Sequence, residues 1–319
     1  MIVTLTANPS IDRTVELQTP LERGAVLRAA TSAAQAGGKG VNISRASVAA
    51  GMGSVAIVPA PELDPYVLEL RAAGIDCLPV GPARPPRVNI TITEPDGTTT
   101  KINSPGPEAT PALLGRLADA VAGQAAGASW VVLAGSVQPA TPASWYADLV
   151  ARVRGLAPVA VDTSDEPLRA VVDRLADGAP SLLKPNAEEL ASVTGADAGQ
   201  LTRDPVAAAK AARVLVDKGA AACLVTLGAA GAALVTAEGA WHAAAPATTV
   251  VSTVGAGDSS LFGYLLADLR GLAVADKLRL AVAYGSAAAG LPGTSIPAPT
   301  QVHSDRVAVS TLDLTSGGR

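Results

Sequence analysis

Short apolar runs rich in valine, isoleucine and leucine alternate along this chain with longer alanine- and leucine-rich segments of helical period. That alternation constrains the chain to βαβ units, in which parallel strands form one sheet and helices cover both faces. The predicted strands are Val3–Thr6, Ser54–Val58, Trp130–Ala134, Val159–Asp162, Leu182–Lys184 and Cys223–Leu227, with a weaker one at Val307–Leu312. The predicted helices are Val41–Ala50, Pro111–Ala125, Pro142–Arg154, Glu166–Ala176, Ala187–Thr194, Pro205–Lys218, Ala256–Arg270 and Ala275–Ala289. We therefore expect an α/β fold with a doubly wound, mostly parallel sheet.

Two pairs of strand-like segments interrupt this rhythm. They show partial polar alternation and no helix lies between the members of a pair: Arg13–Leu17 with Ala25–Ser32, and Arg87–Thr93 with Thr98–Asn103. The second pair is joined through Glu94-Pro95-Asp96-Gly97, a strong turn signal. We expect a small β lid formed by residues 13–32 and 87–103, inserted into a core of residues 1–12, 33–86 and 104–319.

Composition narrows the classes of function. The 319 residues are 49% hydrophobic and 16% charged, and the net charge of −4 gives no basic field for a nucleic acid. No apolar run approaches the roughly 20 residues that cross a bilayer, and Met1–Thr6 lacks the basic start of a secretion signal. We expect a cytoplasmic protein with neither a membrane nor a nucleic acid as partner. Two cysteines and two histidines, all well separated, predict neither a disulfide framework nor a zinc site.

The sharpest local signal is the segment Ser252-Thr253-Val254-Gly255-Ala256-Gly257-Asp258-Ser259. A glycine-rich turn that opens a helix exposes backbone N–H groups at the positive end of the helix dipole, which favours anion binding. Asp258 would lie in the first helical turn, where its carboxylate could take a proton from a substrate hydroxyl. Taken alone, the same pattern also fits a tight turn with a favourable first-turn charge.

A second glycine cluster, Gly37-Gly38-Lys39-Gly40-Val41-Asn42, also precedes a helical segment. It is not a Walker A loop, because Lys39 is followed by glycine rather than serine or threonine. The first strand also lacks the glycine fingerprint of dinucleotide-binding proteins, which argues against a nicotinamide-dependent oxidoreductase. A lysine and an asparagine among glycines suit a hydroxylated, anionic ligand, although a flexible turn remains an alternative.

Together these motifs resemble the ribokinase-like carbohydrate kinases of the PfkB family, in the branch that contains 1-phosphofructokinase and tagatose-6-phosphate kinase. Seven motifs in consistent order carry the resemblance: Thr6–Asp12, Gly37–Asn42, Arg87–Ile90 with Lys101–Pro107, Ala134–Ser136, Lys184–Asn186 with Glu188–Glu189, Thr226–Gly231 and Thr253–Asp258. The resemblance implies phosphoryl transfer from ATP, with Mg²⁺, to a sugar phosphate. Fructose 1-phosphate is the first expectation, and tagatose 6-phosphate or fructose 6-phosphate is the alternative. A sugar-phosphate sensor without catalysis is a further class.

The resemblance also implies roles for individual residues. Asp258 would be the catalytic base, and the N–H groups of Gly255, Ala256 and Gly257 would stabilise the transferring phosphoryl group. The implied sugar-binding residues are Asp12 and Asn42 for the hydroxyls, with Gly37 and Gly38 permitting close approach; Lys39, Arg87 and Asn103 for the phosphate already present; and Asn89 and Ser136 as weaker candidates.

The implied nucleotide site lies at the ends of two predicted strands, Leu182–Lys184 and Cys223–Leu227. Its residues are Lys184, Asn186, Glu189, Thr226, Gly228 and Gly231, with Glu189 near Mg²⁺ directly or through a water molecule. A helix-capping box predicts the same spacing of Asn186 and Glu189, and both roles can hold together.

The chain departs from the branch after Ser136, where Val137-Gln138-Pro139-Ala140 replaces the usual Leu-Pro-Pro-Gly. This change bears on substrate preference more than on phosphoryl transfer. The exposed strand edges of the lid also predict a homodimer formed through it.

Overall fold

The computed structural model describes residues 1–315 and divides their strands between two sheets. The large sheet contains β1 (Ile2–Thr6), β4 (Ser54–Val58), β5 (Asp76–Pro79), β8 (Trp130–Ala134), β9 (Val159–Asp162), β10 (Leu182–Leu183), β11 (Ala222–Thr226), β12 (Ala232–Thr236), β13 (Gly239–Ala243) and β14 (Val309–Thr311). The small sheet contains β2 (Ser10–Leu17), β3 (Ala29–Gly37), β6 (Arg87–Thr93) and β7 (Thr99–Ile102).

Eleven α-helices accompany the strands within residues 1–315. They are α1 (Lys39–Ala49), α2 (Pro65–Ala72), α3 (Pro111–Ala125), α4 (Trp145–Val153), α5 (Asp165–Asp173), α6 (Leu175–Gly178), α7 (Ala187–Thr194), α8 (Ala198–Arg203), α9 (Pro205–Asp217), α10 (Ala256–Leu269) and α11 (Val274–Ala289). Every one of these helices is too short or too polar to span a membrane.

The large sheet has the order β14-β13-β12-β11-β10-β9-β8-β1-β4-β5. All pairs from β5 to β11 are parallel, and β12, β13 and β14 add an antiparallel edge. The predicted ribokinase-like, mostly parallel α/β fold is therefore confirmed. Because the strands are parallel, their carboxyl ends lie along one edge of the sheet, and the loops that follow them meet there.

Both faces of the large sheet are covered, which explains why its strands are apolar throughout. Successive residues of one strand point to opposite faces: Val3 packs in the cluster with α3, α4 and α9, whereas Ile2 packs with α1, α10 and α11. A fully buried side chain of this kind stabilises the fold by about 1.5–3 kcal/mol. Helix α10, which carries Asp258, is buried over most of its length and so has a fixed position.

The small sheet has the order β3-β2-β6-β7 and shares no strand with the large sheet. Strand β2 pairs with β3 in antiparallel fashion and with β6 in parallel fashion. The boundaries predicted for the strands were wrong: β2 begins at Ser10, and β3 runs Ala29–Gly37 rather than Ala25–Ser32. The pairing of Ser10 with Gly37 extends the β2–β3 ladder to the last residue of β3. The small residues at this end of β3 give no alternating hydrophobic pattern in the sequence. Strand β3 of the small sheet therefore ends at the first residue of the glycine cluster Gly37–Asn42.

Several short elements were absent from the sequence prediction. These are α2, β5, α8 and the hairpin of β12 and β13. The predicted helix Pro142–Arg154 begins only at Trp145, and the helix predicted over 166–176 is divided between α5 and α6.

Candidate active site

A cavity of about 830 Å³ lies at the carboxyl edge of the large sheet, beneath the small one. Most of the predicted site residues line it: Asp12, Gly38, Lys39, Asn42, Arg87, Asn89, Lys184, Asn186, Glu189, Thr226, Gly228, Gly231, Gly255, Ala256, Gly257 and Asp258. Residues that are up to 246 positions apart in the chain, from Asp12 to Asp258, therefore face one space.

Three predicted residues lie elsewhere. Gly37 sits behind Asp12, and Ser136 lines a neighbouring cavity of about 440 Å³ together with Asn8 and Gln138. Arg87 lines both cavities and therefore lies where they meet. The structure does not bring Asn103 to either cavity, because it follows the end of β7 with its side chain in solvent.

The glycine-rich turn forms the predicted helix start. Gly255 precedes α10 with φ of 78°, a left-handed conformation that favours glycine. The first bond from the helix to this residue runs from the Ser259 N–H to the Gly255 carbonyl, at 2.9 Å. The first N–H groups of a helix have no carbonyl partner four residues before them within the helix, and they point along the helix axis. Here the Ala256 N–H makes only a long bond, of 3.4 Å, to the Thr253 carbonyl. N–H groups arranged in this way on a cavity wall favour anion binding.

Asp258 is buried at the start of α10, with 7% of its surface exposed. Its Oδ2 accepts a hydrogen bond from Asn42 Nδ2 at 2.8 Å, which joins the two glycine motifs. Burial and the charge of Asp162 raise the pKa of Asp258 to about 6, against the opposing effects of Lys39, Asn42 and Lys184. A carboxylate with a raised pKa is a stronger base than one in water and is still ionised at neutral pH.

The sequence analysis missed Asp162, which lies at the end of β9 and is fully buried. Its Oδ1 accepts a hydrogen bond from Lys39 Nζ at 2.7 Å, and its Oδ2 lies 3.2 Å from Lys184 Nζ. Although burial favours the protonated acid, the two ammonium groups lower the pKa of Asp162. Burial likewise opposes the charge on Lys39, but Asp162, Asp258 and Glu189 raise its pKa. Asp162 therefore holds one lysine from the start of α1 and one from the residue that follows β10.

The sequence signal for Asp162 was weak but present. An acidic residue at the carboxyl end of a predicted parallel strand points to the functional edge of the sheet. No glycine motif accompanies Asp162, so only the tertiary fold identifies its partners.

Asp12 is held in place by its neighbours in the small sheet. Its Oδ1 accepts hydrogen bonds from Ser10 Oγ at 2.8 Å and Asn89 Nδ2 at 3.0 Å. A Cβ atom on Gly37 would lie only 2.1 Å from Asp12 Oδ2, so only glycine allows this approach. Asn89 thus orients Asp12 as well as lining the cavity.

The other end of the cavity has a charged wall and an apolar wall. Asn186 and Glu189 form the predicted capping box, with both hydrogen bonds at 2.8 Å, and both side chains still line the cavity. Lys184 Nζ lies 3.5 Å from the position of a Cβ on Gly257, which places this ammonium beside the glycine-rich turn before α10. The apolar wall was not predicted, since its alanine, proline and valine residues carry no motif: Ala245, Pro246, Ala247, Val250, Val282 and Ala289.

Comparison with known proteins identifies the family of this site. The model of the pfkB family carbohydrate kinases matches residues 5–301. The chain belongs to the pfkB family of carbohydrate kinases. It is 35% identical over 311 residues to a 1-phosphofructokinase of Rhodobacter capsulatus, covering 94% of each chain. It is 34% identical over 299 residues to a 1-phosphofructokinase of Haloferax volcanii, covering 93% of each chain.

Among solved structures, phosphofructokinase-2 from Escherichia coli in complex with substrates and products superimposes with a TM-score of 0.85. It is 27% identical, and the match covers 95% of this chain and 97% of the other. This pfkB chain is therefore a sugar-phosphate kinase, and its family uses ATP together with a divalent metal.

Within the described part of the chain, no three or more His, Cys, Asp or Glu side chains are grouped to bind an ion. Burial raises the pKa of Glu189, with Asp162 adding to the rise and the two lysines opposing it. A lone hard carboxylate of this kind fits Mg²⁺, which commonly binds one or two carboxylates, water and substrate phosphates.

Proposed function

We propose that this pfkB kinase transfers the γ-phosphoryl group of ATP, with Mg²⁺, to the free 6-hydroxyl of fructose 1-phosphate, forming fructose 1,6-bisphosphate. The observation that carries the proposal is the position of Asp258. Its buried carboxylate accepts a hydrogen bond from Asn42, which belongs to the motif proposed to bind the sugar. Asp258 also lies in the first turn of α10, directly after the turn proposed to bind the phosphoryl group. An acceptor hydroxyl and a phosphoryl group can therefore meet at this one residue.

In this mechanism Asp258 accepts the proton of the attacking hydroxyl as the new O–P bond forms. The N–H groups of Gly255, Ala256 and Gly257 stabilise the charge on the transferring group, and the Lys184 ammonium adds a positive charge beside them. Such chemistry depends on positioning and electrostatics rather than on a covalent enzyme intermediate.

The nucleotide occupies the opposite end of the cavity. Thr226, Gly228 and Gly231 line the path of the phosphates, and the apolar wall from Ala245 to Val250 suits a planar base. Glu189 would hold Mg²⁺ directly or through water, with Asn186 beside it on the cavity wall. When bound, the ion neutralises charge on the phosphates.

The phosphate already on the sugar binds at the junction of the two cavities. Arg87 lines both of them, and Ser136 lies on the smaller one. Arginine offers a planar fork that matches phosphate oxygens. Lys39 is also within the site, but its pairing with Asp162 means that a phosphate must compete with that carboxylate for it.

Substrate choice depends on the near two-fold symmetry of a ketohexofuranose. Fructose 1-phosphate carries its anomeric hydroxyl on C2, next to the phosphate-bearing carbon, whereas in a 6-phosphate this hydroxyl lies near the acceptor end. A site that bonds this hydroxyl rejects the reversed sugar, because a buried polar group then loses its partner. Asp12 and Asn42 are the candidates for reading the ring hydroxyls, and the loop Val137–Ala140 borders the phosphate end.

A coupled assay with fructose 1-phosphate, fructose 6-phosphate and tagatose 6-phosphate tests the proposal. We expect kcat/KM for fructose 1-phosphate to be higher by roughly tenfold or more, equivalent to about 1.4 kcal/mol. Asp258→Asn serves as the control and lowers kcat by ~10²–10⁴-fold while ATP still binds. A reversed ratio would assign the enzyme to a 6-phosphate, and no turnover of any sugar phosphate would favour a sensor.

The lid is also proposed to join two copies of the chain. Residues Ala29–Ala34 of β3 are exposed, and both outer strands of the small sheet have a free edge. Unpaired strand edges favour pairing with another strand. A homodimer through the small sheet covers these residues.

A further inference from the structure

The last two residues of β3, Ala36 and Gly37, are hydrogen-bonded by side chains that do not line the cavity. Both carboxylate oxygens of Glu69, on α2, accept the Ala36 N–H, at 2.9 and 3.0 Å. Arg45, on α1, donates from Nη2 to the Ala36 carbonyl and to Glu69 Oε1, each at 2.9 Å. Side chains thus satisfy both backbone groups of Ala36.

The next residue is gripped in the same way. Tyr66, also on α2 and 1% exposed, donates its hydroxyl to the Gly37 carbonyl at 2.8 Å. Tyr66 is itself fixed, because Asp64 caps the start of α2 by accepting the Tyr66 N–H at 2.9 Å. We call Glu69, Arg45 and Tyr66, with the two residues they bind, the Ala36–Gly37 clamp.

The clamp fixes the position of Gly37, which lies between Asp12 and the start of α1. On one side is Asp12, whose Oδ2 is so close to Gly37 that no Cβ fits between them. On the other side Gly38 leads directly into α1, which carries Lys39 and Asn42. A shift of Gly37 would therefore move the Asp12 carboxylate and the start of α1 relative to each other.

We propose that Glu69, Arg45 and Tyr66 are positioning residues for the sugar half of the active site. They fix the spacing between Asp12 and the α1 residues without contacting either substrate. The nucleotide half, built on β10, β11 and α10, makes no contact with the clamp through these hydrogen bonds. Damage to the clamp should therefore affect the sugar and spare ATP. This inference rests on the proposed assignment of the sugar side.

Kinetics of clamp variants test the inference. We expect Glu69→Ala to raise KM for fructose 1-phosphate about tenfold, because small misplacements of binding groups are costly. The KM for ATP should change less than about twofold. Glu69→Gln keeps one acceptor for the Ala36 N–H and should lie between wild type and Glu69→Ala, and Tyr66→Phe should shift the sugar KM in the same direction.

The matched control is Glu62→Ala. Glu62 pairs with Arg71 of α2, both side chains are exposed, and neither bonds to the clamp. This variant should retain both KM values. Equal rises of the two KM values in Glu69→Ala, or an unchanged sugar KM in a folded Glu69→Ala, would overturn the inference.

Amide hydrogen exchange gives a readout that does not depend on turnover. Exchange in peptides spanning residues 34–40 should be faster in Glu69→Ala than in wild type, and unchanged in Glu62→Ala. Unchanged exchange in Glu69→Ala would also overturn the inference. If wild-type enzyme does not use fructose 1-phosphate, the proposed substrate fails, and the clamp is then tested with whichever sugar phosphate is turned over.

Discussion

At the scale of single residues, the site depends on one buried carboxylate that acts on another. Asp162 holds Lys39 and Lys184, and its charge contributes to the raised pKa of Asp258. The carboxyl of Asp258 is protonated below a pH of about 6 and cannot then accept a proton. Activity is therefore expected to fall as the pH drops through about 6.

Asp162→Asn should change this pH dependence in a defined direction. Removing the negative charge lowers the pKa of Asp258, so the acid limb of kcat/KM moves to lower pH. Turnover at neutral pH should fall about tenfold or more, because a weaker base is less effective and both lysines lose their anchor. The free energy of unfolding should fall by about 3 kcal/mol, since the buried Lys184 loses its partner.

Asp268→Asn is the matched control for that experiment. Asp268 lies near the end of α10, the helix that carries Asp258 near its start. Its carboxylate pairs with Lys277. Its variant should leave the acid limb in place even if stability falls. An unmoved limb in a folded Asp162→Asn enzyme would contradict the electrostatic role.

Residue identities were predictable where a motif marks them and not where only the fold does. Asp258 and Asn42 each belong to a glycine motif, yet their direct hydrogen bond spans 216 positions of the chain. Asp162 and the apolar wall have no local signature, so only the tertiary structure identifies them. Asn103 shows the opposite error: it belongs to a matching motif and was predicted to lie in the site, but it is exposed to solvent.

At the scale of elements, long apolar strands and amphipathic helices were predictable, and short segments were not. Helix α2 spans only Pro65–Ala72, and the only marks of its start in the sequence are the N-cap Asp64 and the Pro65 that follows it. Its omission also hid Tyr66 and Glu69. Strand β3 was misplaced because alanine and glycine give no alternating pattern at its end.

Arg87 on β6 provides a test of how the lid contributes to binding. The guanidinium is half-buried, donates to the Ser104 carbonyl at 2.7 Å, and has a pKa lowered by burial. We expect Arg87→Ala to raise KM for the sugar phosphate more than KM for ATP, because the phosphate that we propose it binds is remote from the bond being made.

Lys101→Ala is the comparison for Arg87→Ala. Lys101 lies on the adjacent strand β7 with its side chain exposed. Initial-rate measurements with each substrate varied in turn should give near wild-type constants for this variant. Equal rises of both KM values in Arg87→Ala would instead place the guanidinium in a general role in lid closure.

At the scale of the whole molecule, topology brings the site together. The parallel strands end at one edge, and the four strands of the small sheet cross above that edge. Three of the residues proposed to bind the sugar, Asp12, Arg87 and Asn89, belong to the small sheet. The stability of that sheet therefore bears directly on sugar binding.

The small sheet is poorly covered in a single chain. Six successive residues of β3, Ala29–Ala34, are exposed, so both faces of this strand meet solvent. A four-stranded sheet without a covering layer buries little apolar area, and a second copy would supply the missing layer. We therefore expect a homodimer at assay concentrations, measured by sedimentation or light scattering.

Ala33→Glu places a charge on the exposed surface of β3 and should shift the protein toward monomer while raising KM for the sugar phosphate. Asp119→Ala, on the exposed face of α3, should remain dimeric, and a monomeric wild-type enzyme would contradict the prediction.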